Sequence, residues 1–360
     1  MRTLNEVRAS INALDDKIME LISQRARCAQ EVADIKRHDD PSATVFYRPE
    51  REAQVLERIM AHNPGPLAGE DMARLFREIM SACLALEQPL RVAFLGPAGT
   101  FTQTAALKHF GHAVHSVPLA TIDEVFREVE AGAVNYGVVP VENSSEGVVN
   151  HTLDSFMTSG LCIMGEVELR IHHHLLVADV TKVASISRIY SHQQSLAQCR
   201  KWLDAHFPAA ERVALPSNAE AARRIRGEWH SAAIAGETAG ALYELQTLHA
   251  CIEDNPNNTT RFLIIGREEV VASGRDKTSI MVSVQNSAGA LYRVLEPFNR
   301  QGISLTRIET RPSQIDIWSY VFFIDFEGHL SDPTVQSVLA ELRAGAAEVK
   351  ILGSYPRAVL

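Results

Sequence analysis

Apolar residues near the start of the chain recur in steps of three and four: Leu4, Val7, Ile11, Leu14, Ile18, Leu21, then Arg25, Cys28, Val32 and Ile35. That is the coiled-coil period, and no Gly or Pro interrupts it, so it predicts one helix over residues 4–36. At 1.5 Å per residue such a helix is ~50 Å long. A small domain cannot cover that length, so its far end is expected to pack on another chain. Pro49 suits a first helical position and opens a second helix to about His62, broken by NPGP at 63–66. A third runs from about Glu70 to Glu87 with Leu75, Phe76, Ile79 and Cys83 turned inward. Gln88-Pro89 ends this all-helical block.

The period then changes. RVAFLG (91–96), YGVVPVEN, SRIYSH (187–192), RVALP and SAAIAG read as strands, separated by helical segments such as TIDEVFREVEAG and SLAQCRKWLDAHF. Alternating strands and helices predict an α/β sheet arrangement, and such sheets bind ligands where the strands end. The polar clusters GPAGTFT, PVENSSEG, SHQQS, PSN and AGET all follow strands. After GREEVVASGRDK the order becomes strand, helix, strand, strand, helix, strand, which is the ferredoxin-like βαββαβ order. The expected boundaries are 1–88, 90–267 and 277–356. The fold class is multidomain: all-α, then α/β, then α+β.

Composition adds exclusions. A length of 360 residues fits two to three domains, and a net charge of -9 argues against general nucleic-acid binding. The five cysteines, Cys28, Cys83, Cys162, Cys199 and Cys251, stand apart from one another, without zinc-site spacing, and fit a reducing cytoplasm. The N-terminus is charged throughout, unlike a signal peptide, and no run approaches ~18 apolar residues, so no membrane span is expected. IHHHLLV (171–177) invites a metal reading. Read as a strand, its successive side chains face opposite sides and cannot all ligate one ion. No metal and no cofactor is expected.

In the helical block Arg25 occupies a position of the apolar stripe, where a guanidinium needs a partner. Lys36 lies about three turns on, nearly on the same face. Arg51 and Glu52 begin the second helix, and Glu87 ends the third. The set reads either as a structural ion-pair network or as a cationic pocket for a dianion. VRASINALDDKIMELISQR (7–25) is similar to the RxxIxxLDxxIxxLIxxR pattern of the all-helical chorismate mutases. That resemblance implies an intertwined dimer in which Arg8, Arg25, Lys36, Arg48, Arg51 and Cys83 surround chorismate, Arg8 serving the partner's site. Glu52 would take the ring hydroxyl. Arg48 replaces an acidic residue of some members, and Glu87 stands where many have Gln. A carboxylate cannot donate to the ether oxygen but a carboxylic acid can, so Glu87 is expected to act protonated.

In the middle block GPAGTFT lies between a strand and a helix, whose N-terminus offers free N–H groups to an anion. It is neither a nucleotide loop nor GxGxxG. PVENSSEG adds a carboxylate, an amide and hydroxyls. GPAGTFTQTAA, PVENSSEG, YSHQQSLAQCRKWL and NNTTRFLIIG, in that order, resemble prephenate dehydratase over essentially the whole block. The resemblance implies two α/β lobes around a cleft, similar to periplasmic binding proteins, with Thr260 as catalytic hydroxyl. Thr100, Thr102, Glu142, Asn143, Ser144, Ser191 and Gln194 would line the cleft, and Arg261 would support the site or meet an acidic group of the substrate. AGALYRVLEPF (288–298) and SLTRIETRP (304–312) resemble the regulatory ACT domain. This implies phenylalanine as effector, held by Gly289, Ala290, Leu291, Glu309, Thr310, Arg311 and Pro312.

Three blocks thus point to one bifunctional enzyme that turns chorismate into prephenate and prephenate into phenylpyruvate with loss of water and carbon dioxide, under phenylalanine feedback. The expected partners are those small molecules and further copies of the chain, at least a homodimer. A ligand sensor that has lost catalysis, and a dehydratase with a silent mutase, are the alternatives.

Overall fold

The computed structural model describes residues 2–39, 47–285, 287–312, 320–346 and 348–359. It forms two compact units, residues 1–90 with 110–115, and residues 91–109 with 116–360. None of its helices, among the described residues, is long and apolar enough to cross a membrane.

The first unit is helical: α1 (Leu4–Asp39), α2 (Pro49–His62) and α3 (Gly69–Glu87). Both α1 and α2 pack on α3. The bounds follow the sequence pattern to within three residues, because Pro49 sits at the start of α2 and the NPGP run follows its end. Leu56, Ala53, Ala73 and Cys83 are buried between helices. The stripe on α1 is not: Leu4, Leu14 and Leu21 are more than half exposed, and only Ala33 of this helix is buried.

The second unit contains three sheets. The first lobe is built from β1 (Arg91–Leu95), α4 (Phe101–Phe110), β2 (His115–Leu119), α5 (Ile122–Glu130), β3 (Tyr136–Asn143), β4 (Gly147–Val148), α6 (Asn150–Thr158) and β5 (Cys162–Arg170). The second uses β6 (His174–Val177), β7 (Arg188–His192), α7 (Gln193–Gln198), α8 (Arg200–His206), β8 (Glu211–Leu215), α9 (Asn218–Arg224), β9 (Ser231–Ala235), α10 (Glu237–Leu242) and β10 (Gln246–His249). The chain then returns to the first lobe as β11 (Thr259–Gly266). The sheet orders are β2-β1-β3-β11-β5, with β4 on β3, and β10-β6-β9-β7-β8. Residues 171–173 and 250–258 are therefore the two crossings between lobes. Both sheets are mixed: β1 and β3 are parallel, whereas β11 runs antiparallel to β3 and β5.

The remaining elements are β12 (Asp276–Val284), α11 (Ala290–Gln301), β13 (Leu305–Pro312), β14 (Tyr320–Glu327), α12 (Pro333–Gly345) and β15 (Glu348–Pro356), the expected βαββαβ order. The sheet order is β13-β14-β12-β15. One face carries α11 and α12, whose Phe298 and Leu339 pack over Ile280, Val282, Ile324 and Phe326. The other face joins the first lobe: Met281, Val321, Phe323, Leu352 and Tyr355 share one apolar cluster with Val139, Leu153, Phe156 and Leu263. At Gly353 (φ 149°) a Cβ would stand 2.3 Å from the carbonyl oxygen of Ile163 on β5, so only glycine permits this approach.

Candidate active sites

In the helical unit burial pushes the Glu87 carboxyl up, against the pull of Lys36, Arg37 and Arg25. Three cations thus act on one acid at the end of α3, Arg37 among them, an arrangement compatible with both the ion-pair network and the dianion pocket. Glu52 has a partner that the sequence did not reveal: its Oε1 accepts from Arg77 Nε at 3.1 Å, with both side chains largely buried. Burial raises the Glu52 carboxyl, and Arg77 opposes the shift. Cys83 is buried, whereas Arg8, Arg48 and Arg51 are exposed. On one helix, Arg8 and Arg25 are separated by ~25 Å, so they do not meet in one pocket of one chain.

The second unit holds a cavity of about 570 Å³ between its lobes, lined by the first lobe, the second lobe and the first crossing. Thr100, Thr102, Asn143, Gln194 and Thr260 all line it, as expected from sequence. Thr100 and Thr102 flank the start of α4, Gln194 lies in the first turn of α7, and Asn143 pairs with Thr260 across β3 and β11.

The polar wiring behind Thr260 makes its hydroxyl an acceptor. Asn143 Oδ1 accepts from the backbone N–H groups of Ser145 (2.9 Å) and Glu146 (3.1 Å), so its amide nitrogen must point the other way. That nitrogen donates to Thr260 Oγ1 at 2.7 Å and to Asn258 Oδ1 at 3.0 Å. Thr260 is thus an acceptor toward Asn143, and its O–H is left to donate into the cavity. Asn258, which the sequence reading passed over, is buried, and its Nδ2 donates to Gln198 Oε1 at 3.2 Å. The same oxygen accepts from His173 Nε2 at 2.8 Å. His173 is buried, its Nδ1 meets no hydrogen-bond partner among the described residues, and burial lowers its basicity, so the ring is neutral.

Four expected cleft residues lie elsewhere. Side chains alternate along a strand, so Glu142 and Arg261, next to Asn143 and Thr260, point to the opposite face. Glu142 forms an ion pair with Arg307 of β13 (2.9 Å, without hydrogen-bond alignment), and Arg261 binds Glu166 and Asp325. Neither reaches the substrate space. Ser191 is fully buried, its Oγ 2.7 Å from the Ile234 carbonyl oxygen and 2.9 Å from Asn218 Oδ1, and it is Asn218 that lines the cavity. Ser144 Oγ accepts from the Thr259 N–H and closes the turn behind Asn258. No Lys or Arg lines the cavity among the described residues; its polar lining is hydroxyls and amides together with Glu146, His151, His173 and His192.

The histidine run also departs from expectation. Residues 171–173 form a lobe crossing, not a strand. His172 thereby comes within 4.8 Å of Cys251 and Glu253, ligand atom to ligand atom. Glu253 already accepts from His172 Nδ1 (2.8 Å) and from the His173 N–H (2.9 Å), tying one crossing to the other. Its two oxygens are used in that tie, which accounts for the cluster without an ion.

Three family models match the chain: chorismate mutase type II over residues 7–88, prephenate dehydratase over 92–270 and the ACT domain over 278–344. A bifunctional chorismate mutase/prephenate dehydratase of Pseudomonas aeruginosa is 64% identical over 359 residues, covering 99% of this chain and 98% of that one. The chain belongs to the bifunctional chorismate mutase/prephenate dehydratase family. A second such enzyme, from Neisseria gonorrhoeae, is 50% identical and covers 98% of this chain and 97% of its own. Among solved structures, a prephenate dehydratase from Arthrobacter aurescens in complex with L-Phe has a TM-score of 0.70 and 35% identity, covering 75% of this chain and 90% of its own. The helical unit is accordingly the mutase domain, the two lobes the dehydratase domain, and the C-terminal sheet the ACT regulatory domain.

The expected effector residues divide into two groups on that regulatory domain. Gly289 (φ 76°) caps α11, and Ala290 and Leu291 begin that helix. Thr310 and Pro312 are exposed on β13, the edge strand. Glu309 lies 3.8 Å from Arg307. Arg311 makes a bidentate pair with Asp154 of α6 at 2.8–2.9 Å, so within one chain it serves the regulatory–dehydratase boundary.

Proposed function

We propose that the two activities of this family run at separate sites of this chain, divided at about residues 1–88, 90–267 and 277–356, with phenylalanine acting on the last. For the mutase step Arg25, Lys36 and Arg51 would hold the dianionic chorismate with Arg8 of a second copy. Glu52 would face the ring hydroxyl, and Glu87 would donate to the ether oxygen. The rearrangement is pericyclic, so it needs a compact conformer and stabilised charge rather than a nucleophile. The exposed apolar stripe of α1 supports a homodimer or larger assembly: a second copy would cover it and bring Arg8 to the site that its own chain cannot reach.

For the dehydratase step, prephenate would occupy the cavity between the lobes. Loss of carbon dioxide and water leaves an aromatic ring, so the enzyme must mainly assist departure of the ring hydroxyl. The observation that supports the reading is the Asn143–Thr260 hydrogen bond at the cavity wall, which leaves the Thr260 proton free to donate to a substrate there. An alcohol is a weak acid, so Thr260 donates a hydrogen bond to the leaving oxygen or relays a proton to it. Glu142 is not a donor here, because it faces Arg307. The cavity lining, among the described residues, has no Lys or Arg, so no guanidinium or ammonium pins the carboxylate that leaves.

The L-Phe complex of the Arthrobacter aurescens dehydratase supports phenylalanine as the effector. Gly289–Leu291 and Glu309–Pro312 would border its site. The scattered free thiols fit a cytoplasmic enzyme. Incubation of pure protein with chorismate, without added cofactor, should yield phenylpyruvate, and phenylalanine should suppress the second step. Thr260→Val should stop phenylpyruvate formation and leave mutase turnover intact. Normal dehydration by that variant would reject the assignment.

A further inference from the structure

We propose that Arg261 is a positioning residue for Thr260, and that Asp325, Tyr355 and Ser279 of the regulatory sheet, with Glu166 of β5, hold it there. The dehydratase hydroxyl is then placed from behind by the regulatory domain. This rests on the assignment of Thr260 as the reacting hydroxyl.

Thr260 and Arg261 are consecutive on β11, one facing the cavity and the other the regulatory sheet. Arg261 Nε donates to Glu166 Oε2 at 2.8 Å, Nη1 to Asp325 Oδ2 at 2.5 Å, and Nη2 to the Tyr355 hydroxyl at 3.0 Å. Ser279 Oγ donates to the other Asp325 oxygen at 2.6 Å. Its single proton is spent there, so in the 2.8 Å Ser279–Tyr355 contact the phenol is the donor. Lys277 Nζ closes on Glu166 at 2.8 and 3.0 Å. Two cations face two carboxylates, and Glu166, Ser279, Asp325 and Tyr355 are all buried. Each group has one direction in which it satisfies its neighbours, so the guanidinium cannot swing without leaving a buried charge unpaired.

The backbone is held unequally on its two sides: the pairing of β11 with β5 runs unbroken from Thr259 to Ile264, whereas the pairing with β3 shifts register between Arg261 and Phe262, so on the β3 side the ladder is locally interrupted. The partner strand also meets this sheet: Glu142, opposite Arg261, forms an ion pair with Arg307 of β13. Asn143 and Thr260, which share the cavity-side hydrogen bond, are therefore each followed or preceded by a residue bonded to the regulatory sheet.

A purely structural cluster would glue the two domains and leave the folded enzyme's turnover alone. The experiment uses the full-length protein and the variants Asp325→Asn, Tyr355→Phe, Arg261→Gln and Arg261→Gln/Asp325→Asn. Dehydratase kcat and KM for prephenate, mutase turnover and Tm are measured for each. Asp325→Asn is expected to lower dehydratase kcat on the order of ten- to a hundredfold, the effect of a slightly misplaced group, with KM within about twofold and mutase turnover unchanged. Tyr355→Phe should show a smaller loss of the same kind. The double variant should lose no more than the worse single one, because both act through one anchor. Wild-type kcat in folded Asp325→Asn, or a loss confined to KM, overturns the proposal. If Asp325→Asn does not fold, Tyr355→Phe decides it, and wild-type kcat there overturns it equally. Full dehydration by Thr260→Val would instead reject the assignment on which the inference stands.

Discussion

Asn143 Nδ2 donates to Thr260 Oγ1 across 2.7 Å, while Asn143 Oδ1 is occupied by two backbone N–H groups. The amide cannot flip, and the hydroxyl, an acceptor toward Asn143, has its proton free to donate elsewhere. Asn143→Asp tests this with almost no change in shape. One carboxylate oxygen would still accept from Ser145 and Glu146, but the other has no proton to give. Thr260 would then donate toward the new carboxylate instead of the substrate. We expect dehydratase kcat to fall by about a hundredfold or more, as for removal of a placed donor, with mutase turnover unchanged. Separate assays of the two steps check this.

Glu87 should make the mutase step pH-dependent. Burial raises its pKa, with Lys36, Arg37 and Arg25 opposing the shift. The protonated form is the one able to donate, so mutase kcat should decline as pH rises through that raised value. Glu87→Gln donates at any pH and should flatten the decline. The linkage to stability has the same sign: the folded chain holds this proton more tightly than the unfolded one, so the contribution is present at low pH and is lost as pH rises. A pH–rate profile of both proteins decides the point, and a Gln variant with the native profile would contradict it.

Leu14 lies mid-way along the unburied stripe of α1. Leu14→Glu should place a charge in the surface expected to meet a second copy. Sedimentation should then report a smaller species, mutase turnover should drop by more than about tenfold if Arg8 comes from the partner chain, and the dehydratase step should be affected much less.

Gly353→Ala should be costly because its methyl would meet the Ile163 carbonyl at 2.3 Å. Crowding of this kind costs typically 1–3 kcal/mol, about, read as a lower Tm of the variant. The same change at Gly274, where an added Cβ meets nothing within 4 Å but φ is 103°, separates steric overlap from backbone strain.

The helices, the three blocks and most strands were legible because their periods differ, 3.5 against 2, and because Gly, Pro and Asn mark the breaks. The facing of Glu142 and Arg261 was not. Thr259–Gly266 is covered on both sides, so FLII is apolar without alternation. Nothing in the letters says which side of that strand is the cavity, and adjacent Thr260 and Arg261 were placed together when their side chains diverge. Asn258 was hidden among the asparagines of a turn, where each looks like a turn former. Arg77 was hidden for a different reason: it lies 25 residues from Glu52 on the neighbouring helix, and only the packing of α3 on α2 pairs them. The strand expected over 171–177 begins only at His174, because residues 171–173 cross between lobes.

The apolar cluster shared by Val139, Leu263, Phe323 and Leu352 means that sequence modules and folding units do not coincide. Family models divide the chain into three pieces, yet the dehydratase and regulatory pieces bury one another's interiors. Cut near residue 270, the lobes would keep their cavity but present the underside of their own core to water. Such a fragment should aggregate or bind hydrophobic dyes, and the intact second unit should melt in one transition. Recombining this regulatory domain with another enzyme would require transplanting a surface, not a linker.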